Sequence, residues 1–262
     1  MAEVSYRREG AAAVLTIERP ERRNAVDPAT ADQLLEGYRS FEADDEARVM
    51  VLTGSGEDAF CAGADLKSVA AARTDEAMAK DWLKPRPDGP LGFTRLTPSK
   101  PTIAAISGYA LAGGLELALW CDLRVGTETA KLGFPERRWG VPLIDGGTQR
   151  LPRIVGMGRG LDLILSGRIV EAEEALAMGL LTEVVPPGNH LERSLEMAEG
   201  LAAFPQETML ADRRSAIEGF GLPLEEALKL EAEIGSKTTG VGVEGAARFA
   251  AGEGRGGEGA GV

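Results

Sequence analysis

Residues 106–118 read Ile-Ser-Gly-Tyr-Ala-Leu-Ala-Gly-Gly-Leu-Glu-Leu-Ala, and residues 60–66 read Phe-Cys-Ala-Gly-Ala-Asp-Leu. In both stretches a strand end is followed by small residues and then by the start of a helix. Turns of this kind leave backbone N–H groups without a partner at the positive end of the helix dipole, and small side chains let a ligand approach that backbone. Two such N–H groups would form an oxyanion hole for a carbonyl that becomes an enolate. Close packing of a helix against a strand would explain the same pattern without a ligand.

Apolar runs outside these turns predict the secondary structure of the first part of the chain. Residues 12–18, 48–53 and 102–106 are short and rich in apolar or β-branched residues, which is typical of buried strands. Asp27 followed by Pro28 predicts a helix start, because Asp caps helix N–H groups and Pro suits the first helical position. Strand and helix alternate to about residue 155, and this alternation predicts an α/β fold.

The rest of the chain has a helical pattern and a Gly-rich end. Apolar residues at helical spacing predict helices at residues 159–165, 171–178, 191–204, 207–217 and 224–234. Val184 and Val185 indicate one more short strand. Residues 252–262 hold six glycines, so this tail is expected to be flexible. Residues 84–90 hold three prolines and are expected to form a mobile surface loop without a helix.

The composition excludes several classes of protein. The chain has 262 residues, with 41 acidic and 29 basic side chains and a net charge of −12, and this balance argues against binding to nucleic acid phosphates. No apolar run reaches the ~18 residues of a membrane span, and the N-terminus lacks a signal-peptide pattern. Cys61 and Cys121 are too few for a disulfide framework, and with one histidine they cannot complete a usual zinc site. We therefore expect a cytoplasmic protein with reduced thiols, no metal, and no membrane or nucleic acid partner.

The titratable residues point to carboxylate chemistry. The one histidine, His190, lies in a Pro- and Gly-rich segment and is expected to be a solvated loop residue. Glu116 lies in the run Leu115–Trp120, which has no other charge, and Glu136 follows Pro135 beside apolar residues. A carboxylate in such a setting needs hydrogen-bond partners or takes a shifted pKa. Either glutamate alone could be an ordinary residue in the first turn of a helix, but the pair near Gly-rich turns indicates general acid–base catalysis.

Two further Gly-rich segments carry weaker signals. Residues 54–59 fit the dinucleotide-binding pattern G-x-G-x-x-G/A, which also requires a helix directly after the glycines. Residues 60–63 follow instead, so we interpret residues 54–59 as a tight polar turn. Residues 156–160 lack the third glycine and are interpreted as a break between two helices.

Taken in order along the chain, these motifs resemble the crotonase superfamily, whose name-giving activity is enoyl-CoA hydratase. The resemblance covers most of the chain, with matching pieces at residues 17–20, 23–25, 60–66, 108–116, 121–122, 135–136, 146–151 and 175–180. Each piece alone is modest, but the set in this order is specific. It implies an α/β fold built as a crotonase-like spiral of βββα units, with a helical C-terminal trimerisation region.

The resemblance also implies a division of the chain and an assembly. Residues 1–200 would form the spiral core, residues 201–251 the trimerisation region, and residues 252–262 a flexible tail. The chain would form a homotrimer, or a hexamer made as a dimer of trimers. Its ligand would be an acyl-CoA, and it would need no cofactor, because coenzyme A is part of the substrate.

For the active site, the resemblance assigns roles to residues that the local patterns single out. The backbone N–H groups of Ala64 and Gly113 match the oxyanion hole that polarises the thioester. Glu116 and Glu136, which are twenty residues apart, match the two glutamates of the hydratases. By analogy, Glu116 would orient and activate the water that adds to C3, and Glu136 would donate a proton to C2. The implied reaction is hydration of 2-enoyl-CoA thioesters to 3-hydroxyacyl-CoA.

The resemblance places the coenzyme A contacts in several parts of the chain. The matching residues are Arg23, Asn24, Ala25, Ala62, Lys67 and Phe249, the last of them contributed by a neighbouring subunit. For Arg23 and Lys67, a solvated surface position would explain the charge equally well.

The segment after Glu136 departs from the family pattern. Ile144 lies where the hydratases typically have a glycine whose backbone contacts the water, and Asp145 adds a candidate third carboxylate. Asp145 could serve as a nucleophile or base, as in hydrolytic members of the superfamily, or could bond the backbone of its own loop. The alternatives to hydration are therefore another acyl-CoA reaction, by a double-bond isomerase or a hydrolase that uses Asp145, and a non-catalytic acyl-CoA-binding relative.

Overall fold

The computed structural model describes residues 3–252, and within them the chain forms ten β-strands and eleven α-helices. The strands are β1 (Val4–Glu9), β2 (Ala12–Ile17), β3 (Val49–Gly54), β4 (Ala59–Cys61), β5 (Thr102–Ile106), β6 (Tyr109–Leu111), β7 (Leu123–Thr127), β8 (Lys131–Gly133), β9 (Ile169–Glu171) and β10 (Glu183–Val185). The helices are α1 (Pro28–Ala43), α2 (Leu66–Ala71), α3 (Glu76–Leu83), α4 (Gly113–Trp120), α5 (Gly147–Val155), α6 (Met157–Ser166), α7 (Ala172–Ala177), α8 (His190–Ala203), α9 (Gln206–Gly219), α10 (Leu224–Ser236) and α11 (Thr239–Ala251). Short 3-10 helices span Pro20–Arg22 and Pro135–Trp139.

The described strands form two sheets, and their pairing determines where the Gly-rich turns lie. The first sheet has the order β1-β2-β3-β5-β7-β10, with β1 antiparallel to β2 and the other neighbours parallel. The second has the order β4-β6-β8-β9, in which β4, β6 and β8 are parallel and β9 is antiparallel to β8. Because β4 and β6 are parallel neighbours, the turns that follow them, at residues 62–65 and at Ala112, leave the same edge of the sheet.

The α/β fold class and its main predicted elements are confirmed. Strands β2, β3 and β5 are buried along their whole length, as expected for apolar runs that are covered on both faces. Helix α1 begins at Pro28, and the Asp27 side chain accepts a hydrogen bond of 2.9 Å from the Thr30 amide. Gly156 separates α5 from α6, which confirms the predicted break between two helices.

The chain divides into two compact units, one that ends at Ala198 and one that begins at Glu199. The first unit contains both sheets, and the second contains the end of α8 with α9, α10 and α11. Helix α11 lies within residues 201–251, which the resemblance predicts to be helical, but apolar spacing alone does not predict it, because its glycines weaken the helical pattern. The trimerisation role of residues 201–251 stays a prediction, and residues 253–262 of the predicted tail lie outside the described residues.

The interpretation of His190 as a solvated loop residue is wrong. His190 is the first residue of α8, its side chain is only 7% exposed, and its Nδ1 atom has no hydrogen-bond partner in the described part of the chain. Ser194 and Ala198 follow at helical spacing and are fully buried, so His190 continues the inward face of the helix. Burial lowers the pKa of its imidazole.

Residues 84–90 contain no helix, as predicted. One residue of this segment is nevertheless attached to α1: Arg86 donates a hydrogen bond of 2.9 Å to the Pro28 carbonyl and forms an ion pair with Asp32. The mobility of the segment stays a prediction. Between residues 3 and 252, no helix combines the length and the apolar character that a membrane crossing needs.

Candidate active site

The 62–65 turn directs the backbone N–H of Ala64 away from the neighbouring chain. The amide of Val26 donates to the carbonyl of Gly63 at 2.8 Å, and the amide of Asp65 donates to the carbonyl of Val26 at 2.9 Å. This parallel bridge uses the peptide groups on either side of Ala64, so the N–H of Ala64 points to the opposite side. In the described residues that N–H has no hydrogen-bond partner, and Ala64 lines a cavity.

The N–H of Gly113 is presented by a strained turn at the start of α4. Ala112 has φ 53° and ψ −127°, a conformation with positive φ that costs about 1–3 kcal/mol for a residue with a Cβ atom. The ψ angle of Ala112 orients the peptide group that carries the Gly113 N–H. The Ala112 amide donates to the Gly133 carbonyl at 2.9 Å, which helps to hold this conformation. As the first residue of the helix, Gly113 has no intrahelical partner for its N–H.

The two turns are in direct contact, and their glycines make this contact possible. A Cβ atom added at Gly63 would lie 2.8 Å from the Gly113 nitrogen, and Gly63 has φ 86°. A Cβ atom added at Gly114 would lie 2.0 Å from the carbonyl oxygen of Cys61, at the end of β4. No side chain fits between these backbones, so the small residues of both motifs are required by the close approach.

A Gly114→Ala substitution is expected to destabilise the protein by about 3 kcal/mol, the upper part of the range for overpacking, because the group it strikes is backbone. The measurement is the urea midpoint of unfolding. Gly200→Ala in α8 is the matched control, since a Cβ atom there meets nothing within 4 Å. That substitution should stabilise by about 0.5–1 kcal/mol. Equal midpoints for the two variants would show that the turns are not packed this tightly.

Glu116, in the first turn of α4, is 3% exposed and is held from outside its own helix. Its Oε1 atom accepts hydrogen bonds from the amide of Asp145 at 3.0 Å and the amide of Gly147 at 2.7 Å. An ordinary glutamate in the first turn of a helix would bond the N–H groups of that helix. Glu116 instead accepts hydrogen bonds from another segment. Both bonds use Oε1, so Oε2 remains available to a ligand in the cavity that Glu116 lines.

The protonation of Glu116 reflects opposing influences. Burial is the largest influence that raises the pKa of its carboxyl group, and the nearby carboxylates of Asp145 and Glu136 also raise it; with all influences combined, the pKa is raised to about 7. The two amide hydrogen bonds act in the opposite direction, because they stabilise the ionised form. Near neutral pH the group can therefore both accept and release a proton.

Glu136 lies in the 3-10 helix Pro135–Trp139 and has a different environment. It is 5% exposed, and neither carboxylate oxygen has a hydrogen-bond partner within residues 3–252. Burial raises the pKa of this carboxyl group. Burial outweighs the lowering of this pKa by the backbone N–H of Glu136 and by the charge of Arg137. Glu136 is therefore suited to hold a proton, whereas Glu116 accepts two hydrogen bonds from amides of another segment.

One cavity of about 400 Å³ brings these groups together. It is lined by Ala64 and Gly113, by both glutamates and by Asp145. Its apolar lining includes Leu66, Val69, Trp82, Leu91, Val141 and Leu143. The arrangement combines two backbone donors with two carboxylates of unlike environment beside an apolar space, which is suited to polarising a carbonyl and moving protons next to it.

The predicted coenzyme A residues have different locations. Ala62 lines the cavity. Arg23 is exposed, with its guanidinium 5.2 Å from the centre of the Tyr109 ring, and Lys67 is also exposed. Ala25 is buried. Phe249 belongs to the second unit, where it is an exposed residue of α11.

The side chain of Asn24 makes its hydrogen bonds within the fold. It is completely buried, and its Nδ2 atom donates to the carbonyls of Ser55 at 3.0 Å and Ala59 at 2.7 Å. Its Oδ1 atom accepts from the Arg19 amide at 3.0 Å. Any contact of Asn24 with a ligand would therefore have to come from its backbone.

The alternative in which the Asp145 side chain bonds the backbone of its own loop is wrong. Asp145 is 4% exposed, and its Oδ1 atom accepts from the Leu91 amide at 3.0 Å and from the Thr94 hydroxyl. These partners belong to a distant segment of the chain. Ile144, the departure from the family pattern, also lines the cavity but is largely exposed.

The role of Arg19 at the site was not predicted. Arg19 is buried and pairs with Asp65 at 3.2 Å and Asp27 at 3.0 Å, so it connects the 62–65 turn to the start of α1. Arg19 lies in the first matching piece of the resemblance, but no local pattern marks its role. Trp82 and Leu91 line the cavity from a stretch that carries no motif. Among residues 3–252, no group of three or more His, Cys, Asp or Glu side chains could hold a metal ion.

Comparisons with known proteins show which family the chain is similar to. A family model described as enoyl-CoA hydratase/isomerase matches residues 7–251. The (E)-benzylidenesuccinyl-CoA hydratase of Thauera aromatica is 37% identical over 216 residues, or 82% of this chain and 82% of the relative. The short-chain-enoyl-CoA hydratase of Clostridium acetobutylicum is 36% identical over 88% of this chain and 87% of the relative. A solved enoyl-CoA hydratase from Mycobacterium marinum has a TM-score of 0.85 at 34% identity, covering 95% of this chain and 96% of that one.

Proposed function

The chain belongs to the enoyl-CoA hydratase/isomerase family, and on that premise we propose that its cavity hydrates 2-enoyl-CoA thioesters to 3-hydroxyacyl-CoA. The observation that carries the proposal is the single cavity lined by two free backbone donors and two buried carboxylates. The relatives named as hydratases support the same reaction class. The reaction needs no cofactor, since the coenzyme A group is part of the substrate.

The backbone donors begin the reaction. In the proposed complex the thioester oxygen accepts hydrogen bonds from the N–H groups of Ala64 and Gly113. These bonds withdraw electrons from the conjugated system and make C3 electrophilic. They strengthen as negative charge develops on the oxygen, so they stabilise the enolate more than the bound substrate.

The two carboxylates then supply the acid and the base. Glu116 accepts a proton from a water molecule while the water oxygen forms a bond to C3. The electrons of the double bond move to the thioester oxygen as an enolate. When the enolate collapses, C2 takes a proton from Glu136. Because the two acids influence each other, they titrate as a pair, and the roles are assigned from their unlike environments.

The pH dependence of kcat/KM should reflect the protonation of Glu116 and Glu136. The ionised form of Glu116 is the base, so kcat/KM is expected to fall as the pH drops through about 7, its pKa in the folded protein. Glu116→Gln should remove this limb together with most of the activity. The pKa of Glu116 is higher in the folded than in the unfolded chain, so protonation of this group favours the folded state. This contribution to the free energy of unfolding is complete at acidic pH and is lost as the pH rises towards 7. A flat profile across this range would contradict the assignment of Glu116 as the base.

The experiment that tests the proposed reaction is an assay for loss of the enoyl thioester, with crotonyl-CoA and longer 2-enoyl-CoAs and with identification of the product. A 3-hydroxyacyl-CoA product supports hydration. Turnover of 3-enoyl-CoA to 2-enoyl-CoA would favour the isomerase, and release of free CoA would favour the hydrolase. Binding without turnover of any of these substrates would indicate a non-catalytic relative.

We also propose that the chain assembles as a homotrimer or as a dimer of trimers. Support comes from large apolar side chains that are exposed in the second unit, at Phe204, Ile217, Phe220, Leu222, Leu224, Leu228, Val243 and Phe249. In such an assembly Phe249 would contact coenzyme A bound to a neighbouring copy. In the coenzyme A bound to its own chain, Arg23 would lie near the nucleotide and Lys67 would contact a phosphate. Light scattering coupled to gel filtration tests the assembly. The cytoplasmic location stays a prediction from the sequence.

A further inference from the structure

The loop of residues 140–146, which joins the 3-10 helix Pro135–Trp139 to α5, is attached to the segment of residues 91–95 by two sets of contacts that involve Asp145 and by a separate hydrogen bond of 3.4 Å from Arg95 to the Ile144 carbonyl. The first attachment is the Asp145 side chain, whose Oδ1 atom accepts from the Leu91 amide and the Thr94 hydroxyl. The second is Arg150, which donates to the Asp145 carbonyl at 2.9 Å and to the Thr94 carbonyl at 2.6 Å. Asp145 takes part in both attachments, through its carboxylate and through its carbonyl.

The backbone of Asp145 also contacts the carboxylate of Glu116. The backbone N–H of Asp145 donates to Oε1 of Glu116, and the N–H of Gly147, two residues later, donates to the same atom. A Cβ atom added at Gly147 would lie 3.0 Å from Oε1 of Glu116, so the loop and the carboxylate are also in close contact. A shift of the loop would therefore move Glu116.

We propose that Asp145 is a positioning residue, which holds the amide donors of Glu116 in place by fixing the 140–146 loop to Thr94 and Leu91. This inference rests on the proposed hydration, in which Glu116 orients the water. It assigns Asp145 neither the nucleophilic role of a hydrolase nor a bond within its own loop. Glu116 then keeps one oxygen fixed by amides and presents the other to the water.

The charge of Asp145 gives the proposal a second consequence. The titratable and charged groups that act on Glu116 from the neighbouring elements are Asp145, Glu136 and Arg150. The carboxylate of Asp145 raises the pKa of Glu116, so a neutral residue at position 145 should lower that pKa. The hydrogen bonds that attach the loop and the charge of Asp145 can therefore be removed in two separate variants.

Thr94→Val removes one hydrogen bond of the attachment and keeps the charge of Asp145. We expect kcat to fall about tenfold with little change in KM, because a small displacement of a catalytic group affects the transition state most. Thr94→Ser, which keeps the hydroxyl, is the matched control and should recover wild-type kcat. Thermal unfolding of both variants tests whether Thr94→Val folds. Wild-type kcat in a folded Thr94→Val variant would overturn the proposal.

Asp145→Asn keeps an oxygen that can accept both hydrogen bonds and removes the charge. We expect the acid limb of kcat/KM to move to lower pH, and the same shift should appear in the NMR titration of the ¹³C-labelled Glu116 carboxyl, identified by its absence in Glu116→Gln. An unmoved titration would contradict the second consequence, that the charge of Asp145 acts on Glu116, whether or not the protein is active. Free CoA released by the wild type and not by Asp145→Asn would show a nucleophile instead. Wild-type protein that hydrates no 2-enoyl-CoA would contradict the proposed function, while the titration would still test the effect of Asp145 on Glu116.

Discussion

A Glu136→Gln variant is expected to hydrate crotonyl-CoA about 10³-fold more slowly than the wild type, within the range of 10²–10⁴ that a positioned acid or base contributes. The reason is that Gln cannot donate the proton that C2 requires, although it fills the same volume. Neither carboxylate oxygen of Glu136 has a partner among the described residues, so the substitution breaks no hydrogen bond of the fold. The measurement is the initial rate of enoyl thioester loss at saturating substrate.

Two controls separate chemistry from folding and binding in this variant. Its thermal unfolding and its affinity for a saturated acyl-CoA should match those of the wild type, because only the acid–base step is removed. Glu173→Gln, at an exposed position of α7, should leave the rate unchanged. A Glu136→Gln variant that retains more than about a tenth of the wild-type rate would show that this residue is not the proton donor.

Replacement of Ala64 by its α-hydroxy analogue, which changes the backbone N–H into an ester oxygen, should lower kcat by about 10²–10³-fold. This N–H has no partner in the described fold, so its removal takes away only the bond to the thioester oxygen. The carbonyl of Gly63 becomes an ester and accepts more weakly from the Val26 amide, which should cost about 1 kcal/mol or less.

An ester at Asp65 is the matched control for this substitution. The N–H of Asp65 donates to the Val26 carbonyl at 2.9 Å, so that ester should lower the free energy of unfolding more and kcat less than the ester at Ala64. If the two esters had equal effects on kcat, the role of the Ala64 N–H in the oxyanion hole would be refuted.

Local patterns were sufficient to predict the α/β class and the two turns of the site. The apolar runs of β2, β3 and β5 and the Asp27 cap of α1 are features of neighbouring residues, which a sequence displays directly. The pairing of β4 with β6 was not predicted. Each has only three residues, too few to indicate its partner strand, yet their parallel pairing is what brings the two turns together.

Local sequence patterns could not predict the contacts that orient the carboxylates. Asp145 and Thr94 are 51 positions apart, and Asp145 and Glu116 are 29 apart, so only the folded chain reveals that they form one network. His190 is the opposite case, because the signal for its burial is local. Ser194 and Ala198 follow it at helical spacing, and that spacing indicates an inward face.

The central claim is that the N–H groups of Ala64 and Gly113 converge on one carbonyl oxygen beside Glu116 and Glu136. The most direct test is a crystal structure of the Glu136→Gln variant with bound crotonyl-CoA. We predict that the thioester oxygen lies about 2.7–3.1 Å from both amide nitrogens, with C3 facing the Glu116 side chain. A thioester oxygen beyond hydrogen-bonding distance of either amide in the ordered complex would contradict the account.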